Sequence, residues 1–264
     1  MTKWEELRKE KGADNMSNIG MGATITVEST GQSWHTQRDW GLAIGNNDYI
    51  GDPVQETNYI DIPGASCHLD ASEALTGRPV FKHRPIKILF GGMRQRTMWD
   101  NVISEFRNQI EGRVIHITFD NDPNYYWRGR VNIANFDRVR ELGKFYMEIP
   151  TADPYKYDVF TSEDDWEWDS FDFEYGVVRY IGTIDITSDT IITTPRGGME
   201  VVPIFDITYI NGSSLEVYVD ETKKYPLSVG ENRIPQIKVG GSEEVTLRFA
   251  GAGQGSIKYR GGSL

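Results

Sequence analysis

From Ala23 onward, apolar side chains recur mostly at every second position, the period of a half-buried strand. Thr24 to Val27 make a β-branched run. Trp40 to Ile44 and Tyr59 to Ile62 are short apolar stretches, and the Gly-, Asn- and Pro-containing residues 45–58 between them read as a long loop. Arg84, Ile86, Ile88 and Phe90 form one core-facing row. Ile115, Ile117 and Phe119 form another, with His116 on the opposite face. Past a turn at Asp120–Asn124, Trp127, Gly129, Val131 and Ile133 share a face, as do Phe145, Met147 and Ile149. One internal segment follows a different period. Trp99, Val102, Ile103, Phe106 and Ile110 recur at three- and four-residue steps, predicting an amphipathic helix of about four turns. Thr97 with Asp100 resembles a capping box, Gly112 supplies the stop, and the single apolar stripe predicts packing on a sheet or barrel.

The pattern changes at both ends of this region. Thr2 to Gly12 suits one short amphipathic helix, followed over residues 11–23 by a glycine-interrupted lead. Residues 158–174 carry eight acidic side chains and no Lys or Arg, interleaved with Trp166, Trp168, Phe171 and Phe173. Beyond Tyr180, Phe205, Ile207 and Tyr209 alternate with polar residues, Asn211–Gly212 turns the chain, and Leu215, Val217 and Val219 answer across it. Short strands then follow around Leu227, Ile237, Leu247 and Ile257, with turns at 230–232, 240–242 and 251–255. Strands at intervals of roughly 8–12 residues with glycine turns predict a β-sandwich or jelly roll. The expected division is a lead (1–30), a β-rich domain with one helix (31–157), an acidic aromatic connector (158–179) and an all-β domain (180–264).

Composition narrows the function classes. The 264 residues carry a formal charge of −11, and a pI near 4.9 argues against stable binding to a phosphate backbone. Aromatics at 12% indicate a folding chain, and no apolar run is long enough to insert into a membrane. A single cysteine excludes an intrachain disulfide or a Cys-rich zinc site, and Cys67 beside His68 reads as a buried small thiol. His35, His68, His83 and His116 are isolated, without metal-ligand spacing, and no nucleophile or dinucleotide motif occurs. No catalytic residue, cofactor or metal is expected. The carboxylates of 158–174 would need a fixed pair across a cleft to cleave a glycosidic bond, and nothing in the sequence sets that geometry.

A specific signal lies in Tyr59-Ile60-Asp61-Ile62-Pro63-Gly64, then Leu69-Asp70, then Leu75-Thr76-Gly77 and Phe81 to Arg84. With Tyr126 to Val131, Ala152-Asp153-Pro154-Tyr155-Lys156-Tyr157 and the ending Gly253 to Leu264, this order resembles the distal tail protein (Dit) family of long-tailed siphovirus bacteriophages. Cys67 departs from the glycine common there, and the first thirty residues are longer than usual. The resemblance implies a mainly β chain, with an N-terminal split β-barrel bearing one helix and a galectin-like C-terminal sandwich. It also implies a hexameric hub at the virion tail tip, assembled in the host cytoplasm. That hub would join the tail tube protein to the tail fibre or tail-associated lysin, and to receptor-binding proteins involved in host adsorption. The motif residues expected to shape it are Ile62, Pro63, Gly64, Leu69, Asp70, Gly77, Arg84, Gly129, Asp153, Pro154, Tyr155 and Tyr157, with Trp99 and Tyr126 as candidate interface residues. The alternative is a carbohydrate-binding module that grips host wall glycans through Tyr209, Tyr218 or Tyr225 of the C-terminal sandwich.

Overall fold

The computed structural model describes residues 21–45, 49–93, 96–139, 142–164, 180–219 and 223–264, with residues 93–98 and 135–142 described at most as backbone. The expected helix at 2–12 and most of the acidic connector lie outside the described residues, as does the side chain of Thr97. In chain order the strands are β1 (Ala23–Val27), β2 (Ser33–His35), β3 (Ala43–Ile44), β4 (Tyr49–Ile50), β5 (Tyr59–Ile60), β6 (Leu69–Asp70), β7 (Arg84–Met93), β8 (Val114–Phe119), β9 (Tyr125–Arg130) and β10 (Asn132–Val139). There follow β11 (Leu142–Ala152), β12 (Lys156–Asp158), β13 (Thr183–Thr194), β14 (Ile204–Ile210), β15 (Leu215–Val219), β16 (Lys223–Leu227), β17 (Gly230–Arg233), β18 (Val245–Lys258) and β19 (Gly262–Ser263). The described helices are α1 (Thr36–Trp40) and α2 (Arg96–Ile110). The chain is mainly β, and it divides into two compact units.

The first unit comprises Met1–Asp52, Arg84–Asn121 and Gly129–Ala152. Antiparallel β2–β1–β8 places Ile25 beside Ile117, and antiparallel β10–β11–β7 places Phe145 beside Phe90, with β3 and β4 on the far edge of β7. The apolar rows predicted on β7, β8 and β11 all point inward and are buried. α2 forms where the three- and four-residue spacing places it, burying Trp99, Ile103, Phe106 and Ile110. Phe106 is the centre of this core, its ring edge-on to Trp40 at 4.7 Å, Phe145 at 5.1 Å and Phe90 at 5.7 Å. Aromatic pairs in this geometry add about 0.5–1.5 kcal/mol each beyond their area. The helix stops at Gly112, whose N–H donates to Val131 O at 3.0 Å.

α1 is an addition to the one internal helix expected. Trp40 to Ile44 reads as a strand, yet only Ala43–Ile44 pairs, because local hydrogen bonds close residues 36–40 into a turn of helix. His35 Nδ1 accepts from Arg38 N, Asp39 Oδ2 accepts from His35 N at 2.7 Å, and Gly41 N donates back to Gln37 O. Such a cap uses His in place of the usual Ser or Asp, which hides it from a propensity reading.

The second unit comprises Pro53–His83, Asp122–Arg128 and Asp153–Leu264. Its main sheet is built on β18. β13 pairs with β18 from Thr183↔Ser256 to Thr194↔Val245 and so takes up one edge. On the other edge β15 pairs with residues 247–250 and β14 with residues 253–258, end to end. β16 extends β15, and β17 extends β14. Inner positions of both halves meet in one cluster around Phe205, Ile207, Leu215, Val217, Leu247, Phe249 and Ile257.

Several turn assignments change here. Residues 251–255 are the interior of one 14-residue strand, not a turn between two. A Cβ at Gly253 would overlap the Tyr209 carbonyl oxygen, and one at Gly255 would lie 2.7 Å from Asp206 O, so these glycines admit a close backbone approach. Asn211–Gly212 turns the chain, but β14 and β15 do not pair with each other; each pairs with β18. Residues 230–233 are a strand, and the buried Ile237 sits in a turn. Tyr209 leaves the Phe205–Ile207 row because the register shifts between Ile207 and Tyr209.

Replacing Gly253 by Val should therefore lower the urea midpoint, with a loss of about 1–3 kcal/mol for overpacking against fixed backbone. An unchanged midpoint would show that the β14–β18 approach is looser than the geometry requires.

Candidate functional site

Segments far apart in the sequence meet around Asp153 in the second unit. β9 and β12 pair at Tyr126↔Tyr157, and β12 pairs with β19 at Tyr157↔Gly262. Asp153 Oδ2 accepts from Tyr157 OH at 2.9 Å and from Arg128 Nη1 at 3.3 Å, and His83 Nδ1 lies 3.7 Å from Oδ1. The Tyr126 and Tyr157 rings stack at 5.5 Å, the Arg260 guanidinium lies 5.4 Å from the Tyr126 centroid, and Phe81 meets Tyr155 edge-on at 6.1 Å. Arg260 Nη1 also donates to the carbonyls of Asp158 and Val159, and Lys156 Nζ donates to Asp122 Oδ2 at 2.6 Å. Burial first, and then the Asp153 carboxylate, push the Tyr157 phenol well above its usual range, so it stays a proton donor.

The motif residues divide between this junction and an arm. Asp153, Tyr155 and Tyr157 belong to the junction, with Pro154 in the link before β12. Ile62, Pro63, Gly64, Leu69, Asp70 and Gly77 lie on a projection between residues 54 and 82. Glu56 N donates to Val80 O and Lys82 N to Val54 O at its stem, and β5 and β6 pair at Ile60↔Leu69 farther out. Asp70 Oδ1 accepts from Ser72 N at 2.9 Å, and the Ser72 hydrogen bonds lower the Asp70 pKa. Val54, Tyr59, Ile60, Ile62, Leu69 and Leu75 are 47–101% exposed, a run of large apolar side chains facing water.

Arg84 and Gly129 serve the first unit. Arg84 is buried and donates to Gly51 O at 3.3 Å; burial lowers its pKa, partly opposed by Asp52. Gly129 lies against Ile149 and Ala152, with no room for a Cβ. Trp99 needs correction as an interface candidate: its indole is 2% exposed and covers Gly143 within its own unit. Tyr126 is half-buried and engaged by Tyr157 and Arg260. Cys67 also departs from expectation, being exposed on the arm beside His68, whose Nδ1 lies 2.5 Å from Asp61 Oδ1.

The junction holds charge and aromatic rings in fixed positions but has no nucleophile beside a base. Each histidine faces a carboxylate: His35 with Asp120, His68 with Asp61, His83 with Asp153 and His116 with Glu28. Among the described residues no three His, Cys, Asp or Glu side chains converge as a metal site, and no helix is long and apolar enough to cross a membrane. Sequence reasoning missed Ser162, which is buried and ties Ile257 O to Tyr259 N through its hydroxyl. Its only sequence signal is a lone Ser before an acidic run.

Removing the Tyr157 hydroxyl tests the junction. Tyr157→Phe should cost about 1–2 kcal/mol at neutral pH by denaturant unfolding, since Asp153 loses a donor. The raised phenol pKa stabilises the fold below the unfolded tyrosine value of about 10, and that contribution fades as pH rises above it. The gap between wild type and variant should narrow in alkali; a gap that widens would contradict the assignment.

No family model and no curated protein matches the chain. Among solved structures it is similar to the Dit protein (gp 19.1) of phage SPP1, described as a paradigm of the hub adsorption apparatus in phages infecting Gram-positive bacteria. The TM-score is 0.59 at 14% identity, covering 92% of this chain and 99% of the SPP1 protein. The likeness spans both units, so the fold is that of a Dit protein.

Proposed function

We propose that this chain is a structural hub of a phage tail tip, closing into a ring of six copies and acting through its surfaces rather than by catalysis. The arm is the observation that carries this reading. Six large apolar side chains between Val54 and Leu75 face water, although the arm is held in shape by β5–β6 pairing and by the Asn58–Ser72 and Asp70–Ser72 hydrogen bonds. A rigid, apolar projection of this kind is stabilised when a neighbouring protein covers it.

A closed ring is built from head-to-tail contacts, in which a projection on one copy meets a different surface on the next. The arm supplies the projecting half. The Asp153 junction holds the stem, with His83 and Phe81 at one end and Arg78 paired to Glu200 at 2.7 Å. Fold likeness to a hub protein over 92% of the chain agrees with this role. The tail tube protein, and the tail fibre or tail-associated lysin, are the partners that such a ring joins on its two faces, with receptor-binding proteins on the periphery. The place of action is the virion tail tip.

Native mass measurement tests the ring. The purified chain of 30.0 kDa should give a species of about 180 kDa, and the double variant Ile60→Asp, Leu69→Asp should dissociate to single chains while keeping the circular dichroism of the wild type. A wild-type chain that stays monomeric across concentrations, or a double variant that still forms the large species, would contradict the proposal.

A further inference from the structure

The register shift in β14 has a consequence for the solvent face of the second unit. With a strict period of two, Tyr209 would follow Phe205 and Ile207 into the core. One extra residue at Thr208 reverses the phase, so that Tyr209 pairs with Gln254, Ile210 pairs with Gly253, and Tyr209 is 49% exposed. Gln254 in turn pairs with Asp185 on β13, and its Nε2 donates to Asp185 Oδ1 at 2.7 Å. Tyr209, Gln254 and Asp185 therefore stand side by side on three adjacent strands, about 10 Å across. The Gln254 amide oxygen and the second Asp185 oxygen have no partner among the described residues.

A second group lies on the same face, six residues back along β18 and about 20 Å away. Arg248 sits 4.6 Å above the Tyr218 ring, pairs with Asp189 at 3.3 Å, and is next to Glu216, which accepts from Tyr218 OH at 2.9 Å. Between the two groups the outward positions of β18 are Ala250 and Ala252, too small to obstruct a ligand. Ser188 at φ 46°, opposite Gly251 at φ 123°, marks a bend midway along this strip.

We propose that the outer face of β13, β18 and β14 binds a neutral linear polysaccharide, with Tyr209 stacking on a sugar ring and Gln254 and Asp185 hydrogen-bonding its hydroxyls. An exposed phenol ring offers an apolar face for sugar C–H groups, and an amide beside a carboxylate offers adjacent acceptors and a donor for a pair of hydroxyls. Charge selects the class. The β16 and β18 cations on this face, Lys224, Arg248 and Lys258, are already paired with Glu216, Asp189, Asp206 and Glu163, and Arg233 stands apart on the β17 edge opposite Ile204, so a polyanion along the strip would meet the Asp185 carboxylate and be repelled. The assignment needs only the second unit and holds whether or not the chain closes into a ring.

The test uses the full chain on an array of neutral linear oligosaccharides, followed by calorimetry with the best binder and with poly(glycerol phosphate). At least one neutral oligosaccharide should bind, with little dependence on salt. Tyr209→Ala should weaken it by about three- to tenfold, the loss of one aromatic stacking contact, and Asp185→Ala and Gln254→Ala should weaken it as well. Tyr49→Ala, which alters an exposed tyrosine of the first unit, should leave binding unchanged. Melting temperature and native mass should stay constant across the variants, which separates this outcome from failure of the ring. A silent array, binding that persists in Tyr209→Ala, or binding of poly(glycerol phosphate) alone would overturn the proposal.

Discussion

A strand has two edges, and β18 serves three neighbours with them. β13 takes up one edge along its whole length, so β14 and β15 must divide the other between them. That division is possible only where the backbones can approach closely, and the missing Cβ atoms at Gly251, Gly253 and Gly255 allow it. The inner face then wraps a single cluster from Phe205 to Phe249. Its outer face inherits the register slip that turns Tyr209 toward solvent. Core and surface of the second unit thus depend on the same close approach.

The Asp153 junction plays the corresponding part outside that sheet. A single carboxylate gathers Tyr157, Arg128 and His83, and stacked aromatic rings fill the space around them. Burying a charge is costly unless it is paired, and here the pairing draws together stretches near residues 83, 128 and 157. This convergence joins the motif residues Asp153, Tyr155 and Tyr157 to Phe81 and Arg128; the other motif residues lie on the arm or in the first unit. Within it Asp153, Tyr157 and Arg128 are held by hydrogen bonds to one another.

Much of the architecture was legible in the amino-acid pattern. Rows such as Ile86–Ile88–Phe90 and Ile115–Ile117–Phe119 alternate cleanly because one face of each strand is buried, and α2 shows its stripe because it covers a sheet. The misreadings have a common cause. Glycine signals a turn locally, but in β18 it answers to a backbone that arrives from residues 206–215, which no local window contains. His35 as a helix cap, and the slip at Thr208, are likewise set by hydrogen bonds that composition does not reveal. Cys67 was read in the wrong direction, and Trp99, rightly placed on the buried stripe of α2, was wrongly offered as an interface residue too, for a related reason. Whether a residue is buried depends on what packs over it: Gly143 makes room for Trp99, while nothing in the arm closes over Cys67.

The central claim is that this protein works by fitting against copies of itself, with the apolar arm as the part that must be covered. Electron microscopy of the purified chain tests it most directly. Class averages should show closed rings with six-fold symmetry and an open centre. Fields of small, asymmetric particles the size of one chain, at concentrations where a hub would assemble, would contradict it.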